Sequence, residues 1–126
     1  MLKLTKKQLY APCAIILIVI HAMLATVAIF AKSPTFDESV HLSGGYTYWK
    51  LNDFRLNPEN GVLPQRWAAL PLLLKKNINF PEDSTYWNKA QEWFFSFFFI
   101  FKSGNNPDSL FIPAKFMMLS VSIILC

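Results

Sequence analysis

The residues with the clearest potential for chemistry lie in the segment SPTFDESVH, residues 33–41, directly after a long apolar run. Thr35 and Glu38 are spaced as in a capping box, so we expect a helix that begins here and continues towards Trp49. On that helix Asp37 and His41 are four residues apart and share a face. The segment therefore predicts two carboxylates and an imidazole close together at the start of one helix.

Helix stability explains the two acids as well, because Glu38 in a capping box and Asp37 in the first turn both favour a helix N-terminus. It does not explain the Gly44-Gly45 pair that follows. Glycine inside a helix costs about 1 kcal/mol relative to alanine and often marks close approach of a backbone or a ligand. The acids and His41 could also bind a divalent metal, the one cofactor considered, but no further ligand is identifiable.

A second polar group lies in the turn-rich segment NPENGVLPQRW, residues 57–67. Its prolines and glycine predict a loop before a short apolar helix at residues 67–74. The loop presents Glu59 and Arg66, and arginine is a bidentate donor for phosphate. A surface salt bridge between these two side chains explains the same pattern, so both interpretations stay open.

These residues need elements that position them, and the first is the run APCAIILIVIHAMLATVAIFA, residues 11–31, which has no formal charge. At about 1.5 Å per residue it can cross a hydrocarbon core of about 30 Å, so we predict a transmembrane helix. A cleaved signal peptide is the alternative, although its apolar part is usually only about 7–15 residues. Three lysines within residues 1–10 favour a cytoplasmic N-terminus. His21 predicts a hydrogen bond to a neighbouring helix, with a proton relay as the alternative.

The second element is the apolar stretch LFIPAKFMMLSVSIILC, residues 110–126, which predicts the start of a second transmembrane helix. It is short for a full span of about 20 residues, so we expect a piece of a longer chain. Residues 32–109 then form an extracytoplasmic loop that carries the acidic motif. Within it, WFFSFFFIF at residues 93–101 is an interfacial helix or part of a core under the loop. The predicted class is an all-α membrane protein.

Composition excludes several other classes. Hydrophobic residues make up 53% of the chain and occur in blocks, which is typical of membrane segments. The net charge of +4 comes with acids and bases intermixed over most of the chain, so no basic stripe predicts nucleic-acid binding. Cys13 and Cys126 fall in the two apolar segments, which argues against a structural disulfide. The sequence also has no CxxC or Cys/His spacing of the kind that binds structural zinc.

The order of segments along the chain resembles that of the multi-pass GT-C glycosyltransferases. These segments are the basic start, the first apolar helix, PTFDESVH, GGYTYWKLNDFRLNPEN, LPQRWAALPLL and NNPDSLFIPAKF. The resemblance is to the group around protein O-mannosyltransferases and bacterial lipid A aminoarabinose transferases. It implies an inverting transfer of sugar from a polyprenyl phosphate to an acceptor of unknown class. It also implies a multi-pass protein, with a bacterial cytoplasmic membrane preferred.

Carried over by position, the resemblance makes Asp37 the catalytic base or the residue that positions the acceptor, with Glu38 in support. It places Lys115 where relatives usually have an arginine near the start of the second membrane helix, in a position to face the lipid phosphate. We predict substrate-binding roles for His41, Glu59, Arg66 and Lys115, which could orient the acceptor or neutralise phosphate charge. The chain departs from the family pattern after Glu59, where relatives commonly read Glu-His-Pro-Pro. A small two-span membrane protein that binds a partner subunit or lipid, without catalysis, is the alternative function.

Overall fold

The computed structural model describes the backbone of residues 6–126 and the side chains of residues 10–126. Its six α-helices are α1 Lys6–Ala31, α2 Phe36–Lys50, α3 Val62–Ala69, α4 Thr85–Asn88, α5 Glu92–Phe97 and α6 Pro107–Ile124. A 3₁₀ turn at Leu70–Leu74 extends α3, and a π-helical turn at Phe98–Lys102 extends α5. Residues 6–126 contain no strand, so the predicted all-α class is confirmed for this range.

Two of the helices are long and apolar enough to cross a membrane, with candidate spans at Tyr10–Ala31 in α1 and Pro107–Ile124 in α6. The first ends where the sequence predicts, although α1 itself begins earlier, at Lys6. The second helix begins at Pro107, before the predicted start at residue 110. The predicted cytoplasmic segment, residues 1–10, falls largely outside the described residues.

The helices α1 and α6 pack against each other as an antiparallel pair. Phe30 meets Phe116 edge-on near one end, with ring centroids 5.9 Å apart. Further along, 3.0 Å separates His21 Nε2 from Ser122 Oγ. The Ser122 hydroxyl donates its proton to the Leu119 carbonyl, so its oxygen accepts from the imidazole N–H. The predicted hydrogen bond from His21 to a neighbouring helix is therefore present in the structure.

Between the two candidate spans, residues 36–106 fold around a core rich in aromatic side chains. The first turns of α6 also join this core, since Leu110, Phe111 and Ala114 are buried there. The aromatic members are Tyr46 of α2, Phe80 before α4, Trp87 of α4, Phe95 of α5 and Phe99 of the π-helical turn. Because each aromatic ring buries roughly 150–250 Å², these few residues hold short helices that would not be stable alone.

The start of α2 corrects one part of the sequence prediction. Thr35 is the N-cap residue with an extended backbone, as the spacing predicts, but its side chain makes no capping hydrogen bond. The side chain of Glu38 instead extends towards Lys115 on α6. The helix therefore begins where expected without a capping box, and Glu38 is available for a role outside helix capping.

The Gly44-Gly45 pair marks the closest approach of α2 to α3. A β-carbon on Gly45 would overlap the main-chain carbonyl oxygen of Gln65, and one on Gly44 would lie 2.7 Å from Gln65 Oε1. The two glycines thus let the helix backbones pack closely. The sequence predicted close approach of a backbone or a ligand to this pair. The structure shows that the approaching group at Gly45 is the backbone of α3.

The segment at residues 93–101 contributes to the core under the loop, which is one of the two interpretations of its sequence. Phe95 and Phe99 are fully buried in the core, whereas Trp93 and Phe97 on the other face are exposed. Trp93 stacks on Phe36 at the start of α2, with ring centroids 4.7 Å apart. The exposed aromatic face therefore lies beside the start of α2, and its placement at a membrane interface stays a prediction.

Candidate functional site

A cavity of about 480 Å³ lies between α2, α3 and α6, next to the end of α1. Its lining is mostly apolar, with a small group of polar side chains. The polar lining residues are Glu38, His41, Asn60, Gln65 and Lys115, and the apolar ones include Leu42, Pro64, Ala68, Phe111, Ala114 and Met118. Three of the six predicted site residues, Glu38, His41 and Lys115, therefore meet in one cavity.

The charged pair of the cavity is Glu38 and Lys115, with Lys115 Nζ 3.6 Å from Glu38 Oε2. That distance is too long for a hydrogen bond, and Glu38 Oε2 has no other partner. The ammonium group instead donates to the main-chain carbonyl of Lys32, 3.1 Å away. This contact holds a cation at the exit of α1 and leaves the carboxylate free to accept a proton.

His41 lines the same cavity one turn after Glu38 on α2. Its Nδ1 atom is buried and has no hydrogen-bond partner. Two further carboxylates lie within electrostatic range of this region. Burial raises the pKa of Glu92, the negative charge of Glu59 raises it further, and the His41 imidazole opposes the rise. Glu92, at the start of α5, is a polar neighbour of the site that the sequence did not single out.

Asp37 and Glu59 lie outside the cavity lining. The Asp37 side chain is exposed on the first turn of α2, and only its neighbour Glu38 faces the cavity. Glu59 is exposed beside Asn60 and Gly61, which do line the cavity. The Asp37 carboxylate therefore lies apart from the cavity group formed by Glu38, His41 and Lys115. The catalytic role that the resemblance gives to Asp37 remains a prediction.

Arg66 has a structural environment of its own. Its guanidinium stacks on the Trp49 ring, 4.1 Å from the ring centroid, and Trp49 Nε1 donates to the Arg66 carbonyl at 2.8 Å. Among the side chains of residues 10–126, no salt bridge joins Arg66 to Glu59. Its contacts join α2 to α3, and it does not line the cavity, so a phosphate contact from Arg66 stays a prediction.

Gln65 is the cavity residue that sequence reasoning missed. Its side chain is 3% exposed, and neither Oε1 nor Nε2 has a hydrogen-bond partner. One signal could have revealed it. Gln65, Ala69 and Leu72 recur at helical spacing along α3 and its 3₁₀ extension, and all three are buried. An amide on an otherwise apolar helix face is unusual enough to indicate a specific partner.

A divalent metal, considered from the acids and His41, has no support in the described part of the chain. Residues 6–126 bring together no group of three or more His, Cys, Asp or Glu side chains that could hold a metal ion. Within the cavity, Glu38 and His41 are accompanied by an amide and an ammonium. The ammonium would repel a cation, so this donor set does not suit a metal.

Comparison of the chain with protein-family models, with curated proteins and with solved structures finds no match. The chemistry of the cavity therefore rests on its own side chains. A carboxylate can take a proton, an ammonium can neutralise an anion, and an amide and an imidazole can hydrogen-bond neutral groups. The apolar wall suits a ligand with an aliphatic part.

Proposed function

We propose that the chain is part of an integral membrane glycosyltransferase of the GT-C type. In this proposal it moves a sugar from a polyprenyl phosphate to an acceptor at the outer face of the membrane. The observation that carries the proposal is the cavity beside the end of α1, in which Glu38, His41 and Lys115 meet an apolar wall. Such a cavity supplies a cation for an anionic leaving group, a carboxylate that can accept a proton and an apolar wall for a lipid chain.

The membrane placement is supported by the exposure of the apolar side chains of α1. No residue of its candidate span is buried, and Leu17, for example, is 66% exposed. A core helix of a soluble protein would be covered, whereas lipid is a suitable environment for such a surface. Packing of α1 against α6 through His21 and Ser122 favours a retained helix over a cleaved signal peptide.

The cavity extends along α6 from Phe111 to Met118, within the candidate span. Met118 lines it one turn beyond Lys115 and is exposed on the surface of that helix. Trp67 is anchored at the same level, where its Nε1 donates to the Met117 carbonyl at 2.9 Å. Tryptophan is enriched at membrane interfaces. A polyprenyl chain in the bilayer would therefore reach the cavity past Met118 without leaving the lipid.

The proposed reaction is a displacement at the anomeric carbon of the donor sugar. A bond forms between the acceptor oxygen and this carbon as the bond from the carbon to the phosphate oxygen breaks. The acceptor proton passes to a carboxylate. The departing polyprenyl phosphate takes the electron pair of the broken bond, and the Lys115 ammonium lies where it can neutralise the negative charge gained. Cavity geometry favours Glu38 as the proton acceptor, because Asp37 is exposed outside the lining.

The test is sugar transfer in membranes that contain the complete gene product, with a panel of polyprenyl-phosphate sugars as donors. The native protein is compared with Glu38→Gln and with Asp37→Asn, its matched neighbour. We expect Glu38→Gln to lower transfer by about 10²–10⁴-fold, the range for loss of a general base. Asp37→Asn should retain most of the activity.

Each other outcome has a definite meaning. Loss of transfer in Asp37→Asn alone would move the base to Asp37, in keeping with the resemblance, and would remove Glu38 from the reaction. Absence of transfer from every donor by inserted native protein would reject the transferase. It would favour a non-catalytic two-span membrane protein that binds a partner subunit or lipid through the exposed face of α1.

A further inference from the structure

The most unusual polar group in the described structure is the carboxamide of Gln65. Both of its polar atoms are buried without a partner, although one donor or acceptor left unpaired in this way already destabilises a fold. Ser43 and Ser96 also bury unpaired hydroxyl groups, but neither lines the cavity. Glu38 and His41 each bury one unpaired atom in the cavity lining, whereas Gln65 buries two, so the partner of its carboxamide is to be sought in the cavity.

The carboxamide of Gln65 lies at the contact between α3 and α2. Oε1 lies against Gly44, which has no side chain, and the buried Nδ1 of His41 is one turn away along α2. Both Gln65 and His41 line the cavity. A ligand in the cavity would therefore meet two residues with buried, unpaired hydrogen-bonding groups, the Gln65 carboxamide and the His41 imidazole.

The chemistry of the amide selects its partner. A carboxamide both donates and accepts, so it pairs best with a group that also does both, such as a hydroxyl. A phosphate at neutral pH mainly accepts, and its charge is matched by Lys115 in the same cavity. We propose that Gln65 is a specificity-determining residue that hydrogen-bonds a hydroxyl group of a sugar ring bound in this cavity. The proposal rests on the proposed function for its choice of a sugar.

This assignment explains why an amide is retained at a buried helix position. Leucine would fit the apolar face of α3 and leave no unpaired group, so a glutamine here lowers stability in the absence of ligand. Bound sugar would supply the missing hydrogen bonds. Sites that hydrogen-bond a substrate hydroxyl discriminate strongly against analogues without it, because the buried polar group is then left unpaired.

The test measures binding and does not depend on transfer. The complete protein in phosphatidylcholine nanodiscs is titrated with n-hexyl β-D-glucopyranoside or with n-hexyl phosphate. Saturation-transfer difference NMR measures the affinity for each probe. We expect Gln65→Leu to weaken glucoside binding at least tenfold and leave the phosphate probe unchanged. Lys115→Met should do the reverse. Thermal melts monitor folding, and Gln65→Leu should melt at or above the native temperature.

The outcome is decided by whether each variant loses a different probe, with Gln65→Leu losing the glucoside and Lys115→Met losing the phosphate. We call this result the crossed pattern. Equal loss of both probes in Gln65→Leu, or native affinity for the glucoside, would overturn the role of Gln65, even if the protein transfers sugar. The crossed pattern in a protein that transfers no sugar would keep Gln65 as a carbohydrate-binding residue and reject only the transferase. If Gln65→Leu melts below the native temperature, Gln65→Met replaces it, because methionine keeps the side-chain length and removes both hydrogen-bonding atoms. Native glucoside affinity in Gln65→Met would also overturn the proposal.

Discussion

At the scale of single residues, two adjacent acids have different environments, because only one of them faces the cavity and its lysine. Glu38 and Asp37 are neighbours in sequence, but a helix turns them about 100° apart, and only Glu38 faces Lys115. The lysine is held by the Lys32 carbonyl and not by a short bond to the carboxylate. Because the Lys32 carbonyl positions the Lys115 ammonium independently of Glu38, the ammonium can neutralise a ligand phosphate without losing this contact.

Glu92 gives a prediction at the same scale. Burial and the charge of Glu59 raise its pKa in the folded protein, with His41 acting against them. The folded state then binds this proton more tightly than the unfolded state, so the contribution of Glu92 to stability falls as pH rises through its folded pKa. We expect Glu92→Gln to raise the melting temperature at neutral pH, with the gain disappearing below about pH 4, where glutamate is protonated in both states.

Thermal melts across this pH range check the expectation. Glu82→Gln, at an exposed position between α3 and α4, serves as the control substitution. A gain for Glu92→Gln that is the same at every pH would show that the removed charge is not its cause.

At the scale of elements, the helix boundaries were predictable where a local signal is strong. The uncharged run up to Ala31 gives the end of α1, and Thr35 gives the start of α2. The role of Glu38 was not predictable from its spacing, because its partner Lys115 is distant in sequence and is brought near by packing of α6. Pro64 likewise predicted a loop, but it lies in the first turn of α3, where proline needs no helical N–H.

The approach of α2 to α3 gives the second prediction. Gly45→Ala would push a β-carbon into the Gln65 main-chain carbonyl, which cannot move without displacing α3. We expect a loss of stability of about 1–3 kcal/mol, the usual range for overpacking. A β-carbon at position 44 in Gly44→Ala would meet side chains and not the backbone, with the movable end of Gln65 nearest at 2.7 Å and the Tyr48 hydroxyl next at 3.3 Å. Alanine also gains about 1 kcal/mol in helix propensity. Denaturant unfolding of both variants should therefore rank Gly45→Ala as clearly less stable, and equal effects would contradict the close backbone approach.

The α1–α6 pair gives a third prediction. Ser122→Ala removes the acceptor of the His21 N–H, and hydrogen bonds between membrane helices contribute about 0.6–2 kcal/mol. A double-mutant cycle with His21→Leu, followed by thermal unfolding in detergent, should give a coupling energy in this range. Thr26→Val is the matched control, because the Thr26 hydroxyl bonds only to Ala22 within its own helix. Coupling between Thr26 and Ser122 of the same size would contradict a specific contact.

At the scale of the whole molecule, the antiparallel α1–α6 pair puts both connections to residues 32–106 at one end. The cavity lies at this end, between a core built from short helices and the candidate spans. Sequence reasoning predicted this layout from block hydrophobicity and brought Glu38, His41 and Lys115 into one site. It missed Gln65 and Glu92, because each is a single polar residue whose meaning comes from the neighbours that folding supplies.

The layout predicts which side of a membrane each part occupies. Single cysteines replace Asp83, exposed between α3 and α4, or Lys3, in a protein whose native Cys13 and Cys126 are changed to serine. A membrane-impermeant maleimide should label the cysteine at position 83 on intact cells, because residues 32–109 are proposed to face outward. The cysteine at position 3 should react only after lysis, since basic flanks favour the cytoplasm. Labelling of both on intact cells would mean that α1 does not cross the membrane, and the cavity would then have no supply of polyprenyl phosphate from the bilayer.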